Sequence, residues 1–165
     1  MTVAAEILAT YRDPAGPVAR LVASGPREDR SLAILLAAAV LMFVARAPSL
    51  ARAAHLDPAV PLDARLGITL FALVFVLPLL AYVVAYLLHL GMRALGRQGE
   101  ASGARVALFW ALLASAPVML LHGLVQGFLG PDAMGAKMVG IAVFAGFMWF
   151  CVRGLGAAYQ RGGRS

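Results

Sequence analysis

The chain has 165 residues, of which 62% are hydrophobic and 13% are charged. A soluble domain is ordinarily about 45–50% apolar and about 25% charged, and a chain of this size cannot bury such a surplus in one core. Soluble enzymes and disordered tails are thereby excluded, and the single cysteine, Cys151, excludes a disulfide scaffold. The formal charge of +6 does not indicate nucleic-acid binding. The basic residues lie between long apolar runs, whereas nucleic-acid-binding proteins cluster them on one exposed face.

Residues 1–30 precede the apolar runs and are predicted to form a short interfacial amphipathic helix on the cytoplasmic side. Apolar residues recur there at helical spacing: Val3, Ile7, Leu8 and Tyr11. A plain solvated tail that positions the first span is the alternative. The segment has no continuous apolar core of the kind a secretory signal peptide needs, so we expect the first span to act as an uncleaved insertion signal.

Four segments almost free of charge are predicted to cross a bilayer, because about 20 apolar residues cover about 30 Å of hydrocarbon. Two are long enough outright, and the first and last qualify if Arg46 and Arg153 lie near their ends and snorkel toward the headgroups. The predicted spans are 31–50, 67–91, 106–129 and 137–157. The expected fold is all-α, a polytopic four-transmembrane-helix bundle over residues 31–159, with a short basic tail over residues 160–165.

The basic residues predict the orientation of these spans. With four spans, the N-terminal segment, the central loop and the C-terminal tail share one side and carry 10 of the 14 Lys and Arg residues. The positive-inside rule then places both termini in the cytoplasm. We expect a multi-pass protein of the bacterial cytoplasmic (inner) membrane, and an odd number of spans would overturn the orientation.

No residue pattern indicates catalysis, a cofactor or a metal. His55, His89 and His122 fall on different elements at different depths, and no Cys-x-x-Cys or carboxylate pair accompanies them. Ser115 has no base in reach, since His122 lies two turns away on the same helix, and we expect its hydroxyl to donate to a carbonyl freed by Pro117. The expectation is a protein that is not an enzyme, with histidines that are interfacial or hydrogen-bonded.

Small residues at four-residue spacing predict faces on which helices approach closely in lipid. The candidates are Ala107, Ala111 and Ser115 on the third span and Ala142 and Gly146 on the fourth. They favour a scaffold or accessory subunit that packs against itself or other membrane proteins. Pro78 and Pro117 are kink candidates, and they leave open a small transporter or channel-like protein, which the lack of mid-membrane acids or bases disfavours.

Three stretches carry a family resemblance: residues 11–14 (YRDP), 25–33 (GPREDRSLA) and 104–117 (ARVALFWALLASAP). They resemble bacterial members of the Ypt-interacting protein (Yip) domain family, which implies a membrane helical bundle behind a short amphipathic segment. Eukaryotic relatives contact small GTPases, and they usually have five spans and an acidic Asp-Leu-Tyr-Gly-Pro type motif. This chain has four predicted spans and lacks that motif, so GTPase binding is not carried over. The expected partners are the lipid bilayer, a second copy or other membrane proteins, and not nucleic acid.

Overall fold

The computed structural model describes residues 3–161, and side chains over residues 4–159. Residues 162–165 of the predicted basic tail lie outside that range. The helices are α1 (Val3–Arg12), α2 (Gly16–Ala23), α3 (Glu28–Leu56), α4 (Leu62–Phe71), a π-helical turn (Ala72–Val76), α5 (Leu77–Ala94), α6 (Ala101–Leu129) and α7 (Met134–Ala158). Two two-residue strands, β1 (Arg97–Gln98) and β2 (Gln160–Arg161), pair antiparallel.

The predicted all-α bundle is confirmed, with four helices long and apolar enough to cross a membrane. They are α3, the continuous segment Leu62–Ala94, α6 and α7, and their most apolar windows have mean hydropathies of 2.0, 2.7, 1.9 and 1.8. We refer to them as spans one to four. Span one runs past both ends of the predicted 31–50. Charged residues can continue a membrane helix near its ends, because their backbones make the helical hydrogen bonds while their charged groups reach water.

Span three is the centre of the bundle. Span one packs along it most extensively, span four packs on its other side, and α5 covers part of it. In its most apolar window 56% of the residues are buried, against 11% for span two. Thirteen residues of α6 are buried, and twelve of them fall between Gly103 and Ala116. We call the half of the bundle that carries α1, α2 and the end of α7 the terminal half, and the other half the distal half.

In the distal half, spans one and three touch through their backbones. A Cβ atom built on Gly123 would lie 1.6 Å from the carbonyl oxygen of Ala45. One turn further, a Cβ atom on Gly127 would lie 2.5 Å from the Cβ atom of Pro48. Glycine at both positions therefore permits a helix–helix distance that no side chain would allow, as expected for small residues at membrane helix interfaces.

Both predicted kink positions lie inside spans. The π-helical turn Ala72–Val76 directly precedes Pro78, and the widened turn relieves the clash between a proline ring and the carbonyl four residues earlier. Pro117 lies inside α6, which runs as one helix from Ala101 to Leu129. A third proline inside a span, Pro48 in α3, is not among the kink positions predicted from the sequence.

Candidate functional site

The helices α1 and α2, which we call the N-terminal helix pair, dock on the terminal half of the bundle. Val18 of α2 is 1% exposed and inserts between spans three and four. A Cβ built on Gly154 would lie 3.2 Å from the Cγ2 atom of Val18 and 3.3 Å from the Cβ atom of Ala107. The small residues on both spans thus leave a groove that one valine fills.

A polar contact fixes α1 in the same region. The indole Nε1 of Trp110 donates to the hydroxyl of Thr10 at 3.0 Å, and both side chains are buried. The hydroxyl of Tyr11 donates to the carbonyl oxygen of Ala114 at 2.9 Å, and its ring packs edge-on against Phe150 with centroids 5.2 Å apart. The first bond satisfies two buried polar groups, which would be costly if unpaired, and the second joins the exposed Tyr11 to span three.

The docked face of α1 differs from the apolar stripe predicted for it. Leu8, a member of that stripe, is 70% exposed, whereas Thr10 is completely buried. The Thr10 hydroxyl donates a hydrogen bond to the carbonyl of Glu6 in its own helix at 2.8 Å and accepts one from the Trp110 indole. Sequence periodicity missed Thr10, because its burial depends on a donor a hundred residues later.

Charged residues hold the helix pair together and attach it to span one. Glu6 forms a salt bridge with Arg20 within the pair. Arg30, at the start of span one, donates to the Ser24 hydroxyl at 2.6 Å and to the Leu21 carbonyl at 2.7 Å. Partly exposed salt bridges contribute little on their own, but bonds to backbone carbonyls fix the direction in which the chain enters span one.

A second polar chain joins span two to the end of span four. The Tyr159 hydroxyl donates to the carbonyl of Glu100 at 3.0 Å and lies 2.6 Å from Nδ1 of His89. Tyr159 is 1% exposed, and burial raises the pKa of its phenol. A Cβ built on Gly99 would lie 2.6 Å from the Tyr159 ring, so glycine there lets the connecting loop close over it.

In the distal half, spans one and three line a cavity of about 250 Å³, which we call the distal cavity. Its polar wall contains Arg46, His122 and Gln126, and the Nδ1 atom of His122 is buried without a hydrogen-bond partner among the described residues. Sequence reasoning identified Arg46 and His122 as separate interruptions of two spans. Only the pairing of spans one and three brings them together.

The packing candidates on span three are buried within the chain. Ala107 and Ala111 are completely buried, and Ser115 nearly so. The Ser115 hydroxyl donates to the carbonyl of Ala111 at 2.7 Å. The predicted partner was wrong: Pro117 frees the carbonyl four residues before it, at Leu113, whereas a helical serine reaches the carbonyl of its own preceding turn.

The packing candidates on span four face away from the bundle. Ala142 is exposed, and a Cβ built on Gly146 would meet no atom within 4 Å. Spans three and four therefore use their small residues differently, because those of span three close the chain's own core and those of span four remain open to the surroundings.

The described residues contain no group of three or more His, Cys, Asp or Glu side chains placed to hold a metal ion. Cys151 is buried, and Ser115 is bonded to its own helix. The features described above are packing surfaces and polar contacts in the terminal and distal halves of the bundle. No family model, no curated protein and no solved structure matches this chain. Its four long apolar helices make it a multi-pass membrane protein.

Proposed function

We propose that this chain is a Yip-like inner-membrane protein that acts non-enzymatically, as a scaffold or accessory subunit, by packing span four against a second copy or another membrane helix. Both termini face the cytoplasm in this proposal. The supporting observation is the open small-residue face of span four at Ala142 and Gly146, beside a span three whose small residues are already covered.

The chemistry of the lipid phase supports the use of that face. Apolar side chains gain nothing by leaving lipid for one another, so helices associate where small residues allow close backbone approach. Most of the outward surface of span four carries large side chains, including Ile141, Phe144 and Met148. A partner helix therefore finds its closest approach beside Ala142 and Gly146.

Disulfide trapping in membranes tests association between copies. The only native thiol, Cys151, is replaced by alanine, and a cysteine is introduced at Ala142. We expect a crosslinked dimer after mild oxidation, and we expect Gly146→Leu in the same background to reduce it at least about tenfold. If another membrane protein is the partner, co-purification after crosslinking depends on Gly146 in the same way.

Gly91→Leu on span two is the matched control. A Cβ at Gly91 also meets no atom within 4 Å, so this change adds the same bulk to an exposed helical glycine without affecting the proposed face. Equal loss of crosslinking and co-purification in both variants, or no effect of Gly146→Leu, contradicts the proposal.

The orientation has its own test. Alkaline phosphatase fused after residue 165 should be inactive, and a fluorescent reporter at the same point should be bright, because the basic residues hold that end in the cytoplasm. An active phosphatase fusion contradicts the proposed orientation without affecting the packing face.

A small transporter or channel-like protein is the second candidate. It is favoured by the π-helical turn before Pro78 and by the polar wall of the distal cavity. Single cysteines at Ala81 and Ala114 face the core from spans two and three. A packing bundle protects both from a membrane-impermeant maleimide, whereas a transport path exposes at least one of them.

A further inference from the structure

We propose that the distal cavity is an oxyanion-binding site, suited to a phosphate group, formed by Arg46, His122 and Gln126. This inference is independent of the packing face on span four. The cavity lies between spans one and three, and its volume of about 250 Å³ is below the range of about 300–1,000 Å³ typical of sites for drug-sized ligands. A group the size of a phosphate suits it better than a large organic ligand.

The cavity lies between two membrane-spanning helices and not at their ends. His122 precedes the end of α6 at Leu129 by about 10 Å, and Arg46 precedes the end of α3 at Leu56 by about 15 Å, at 1.5 Å per helical residue. Both helices extend beyond the cavity toward the distal side. Arg46 lies four residues before the end of the predicted span 31–50, so its guanidinium can reach the headgroup level, where phosphate groups are found.

The polar groups of the cavity lack partners within the protein. Among the described residues, no salt bridge or hydrogen bond satisfies the exposed Arg46 side chain. The His122 ring lines the cavity and also packs against Gly140 of span four, and its buried Nδ1 has no hydrogen-bond partner there. Other distal arginines are used: Arg52 donates to the Phe128 carbonyl at 3.1 Å, and Arg65 pairs with Asp57 at 3.0 Å. Arg46 therefore differs from Arg52 and Arg65 in having no side-chain hydrogen bond among the described residues.

The sign of the charge selects the ligand. α6 carries no carboxylate, and α3 carries none after Asp29, so the two walls of the cavity supply only positive and neutral polar groups. A guanidinium binds a phosphate or carboxylate through two parallel hydrogen bonds. The imidazole and the Gln126 amide add further N–H donors, which suits an oxyanion and disfavours a cation.

The cavity lining one turn closer to the terminal half is apolar. Met42 of α3 and Met119 of α6 line it, next to the close contact between Ala45 and Gly123. A polar wall beside an apolar one suits the phosphate of a phospholipid whose acyl chains stay in the bilayer. A free inorganic oxyanion shares the same headgroup chemistry, and the experiment separates these two sources.

The test uses the full chain, purified in maltoside detergent and stripped of lipid. Native mass spectrometry measures binding of dioleoyl phosphatidylglycerol, and inorganic phosphate is titrated separately with thermal stability as the readout. We expect saturable binding of one phosphatidylglycerol or one phosphate per chain. Arg46→Gln should weaken it at least about tenfold, as expected when a charge-assisted hydrogen bond is lost.

Two further variants keep the result interpretable. Lys137→Gln removes a positive charge from the same side of the bundle outside the cavity, and it should leave binding unchanged. Gln126→Leu keeps all charges and should weaken binding several-fold, so a fold defect in one variant does not decide the outcome. Lipid binding without phosphate binding identifies the headgroup, and the reverse identifies a free oxyanion.

Two outcomes overturn the proposal. One is equal weakening by Arg46→Gln and Lys137→Gln, which would mean that Arg46 only contributes surface charge near the headgroups. The other is the absence of saturable binding of both probes to the wild-type chain.

Discussion

The terminal and distal halves of the bundle are held together by different means. In the terminal half, span three is buried almost continuously from Gly103 to Ala116, and the N-terminal helix pair adds hydrogen bonds at Trp110 and Ala114. In the distal half, Gly123 is the one described residue of α6 that is buried, and two glycines bring spans one and three into contact. The first half depends on side chains and the second on backbone proximity.

This difference reflects what surrounds each half. Where the helix pair covers the spans, the chain supplies its own apolar and polar partners, as a soluble core does. Where it does not, large apolar side chains are exposed in both halves, such as Leu87, Phe75 and Phe128, and the lipid must cover them. The following changes test that contrast, from the largest expected effect to the smallest.

Gly123→Ala should have the largest effect. The added methyl group would lie 1.6 Å from the Ala45 carbonyl oxygen, so spans one and three must separate. We expect a loss of about 3 kcal/mol or more in the free energy of unfolding, at or above the upper end for overpacked sites. Unfolding by SDS in mixed micelles, followed by circular dichroism, measures it.

Gly91→Ala provides the comparison for that measurement. Its added methyl group meets no atom within 4 Å, so the variant should be unchanged or more stable by up to about 1 kcal/mol, since alanine favours the helix. If Gly123→Ala were as stable as Gly91→Ala, the distal half would not depend on backbone contact.

Thr10→Val should loosen the N-terminal helix pair while leaving the spans folded. It keeps the shape of the side chain but leaves the buried indole N–H of Trp110 without its acceptor, at a cost of about 1–3 kcal/mol. Hydrogen exchange should rise over residues 3–23. Thr10→Ser retains the hydroxyl and should exchange more slowly than Thr10→Val; equal rates would assign the effect to packing.

Tyr159→Phe should have a smaller effect, confined to the connection between spans two and three. It removes the bond to the Glu100 carbonyl and the contact with His89, at about 1 kcal/mol. Hydrogen exchange over residues 97–103 reports it. Tyr86→Phe, at an exposed tyrosine of span two, should leave that exchange unchanged.

Alkaline pH should produce the smallest effect, again in the terminal half. Burial raises the pKa of Tyr11 and of Tyr159 above the ordinary value of 10.0. The folded chain therefore holds these protons more tightly than the unfolded chain, so stability is full below pH 10 and falls as pH rises above it. In Tyr159→Phe the fall should be shallower; an unchanged slope would remove Tyr159 as its source.

The sequence was sufficient for the number and order of the spans, because uncharged runs of bilayer length have few alternatives in lipid. It also identified Pro78 and Pro117 inside spans and the small residues at four-residue spacing. It did not distinguish Ala111, which closes the core, from Ala142, which faces outward, because both belong to the same four-residue pattern. Helical spacing defines a face and leaves open which neighbour covers it.

The candidate sites depend on pairings between distant segments. Thr10 meets Trp110 and Arg46 lines the same cavity as His122 only because span three packs on both the helix pair and span one. Composition and charge by themselves determined that this is a multi-pass helical membrane protein, since hydrocarbon excludes the other classes. The tertiary structure decided which polar groups are satisfied and which remain open, because hydrogen bonding depends on three-dimensional proximity that a linear pattern does not contain.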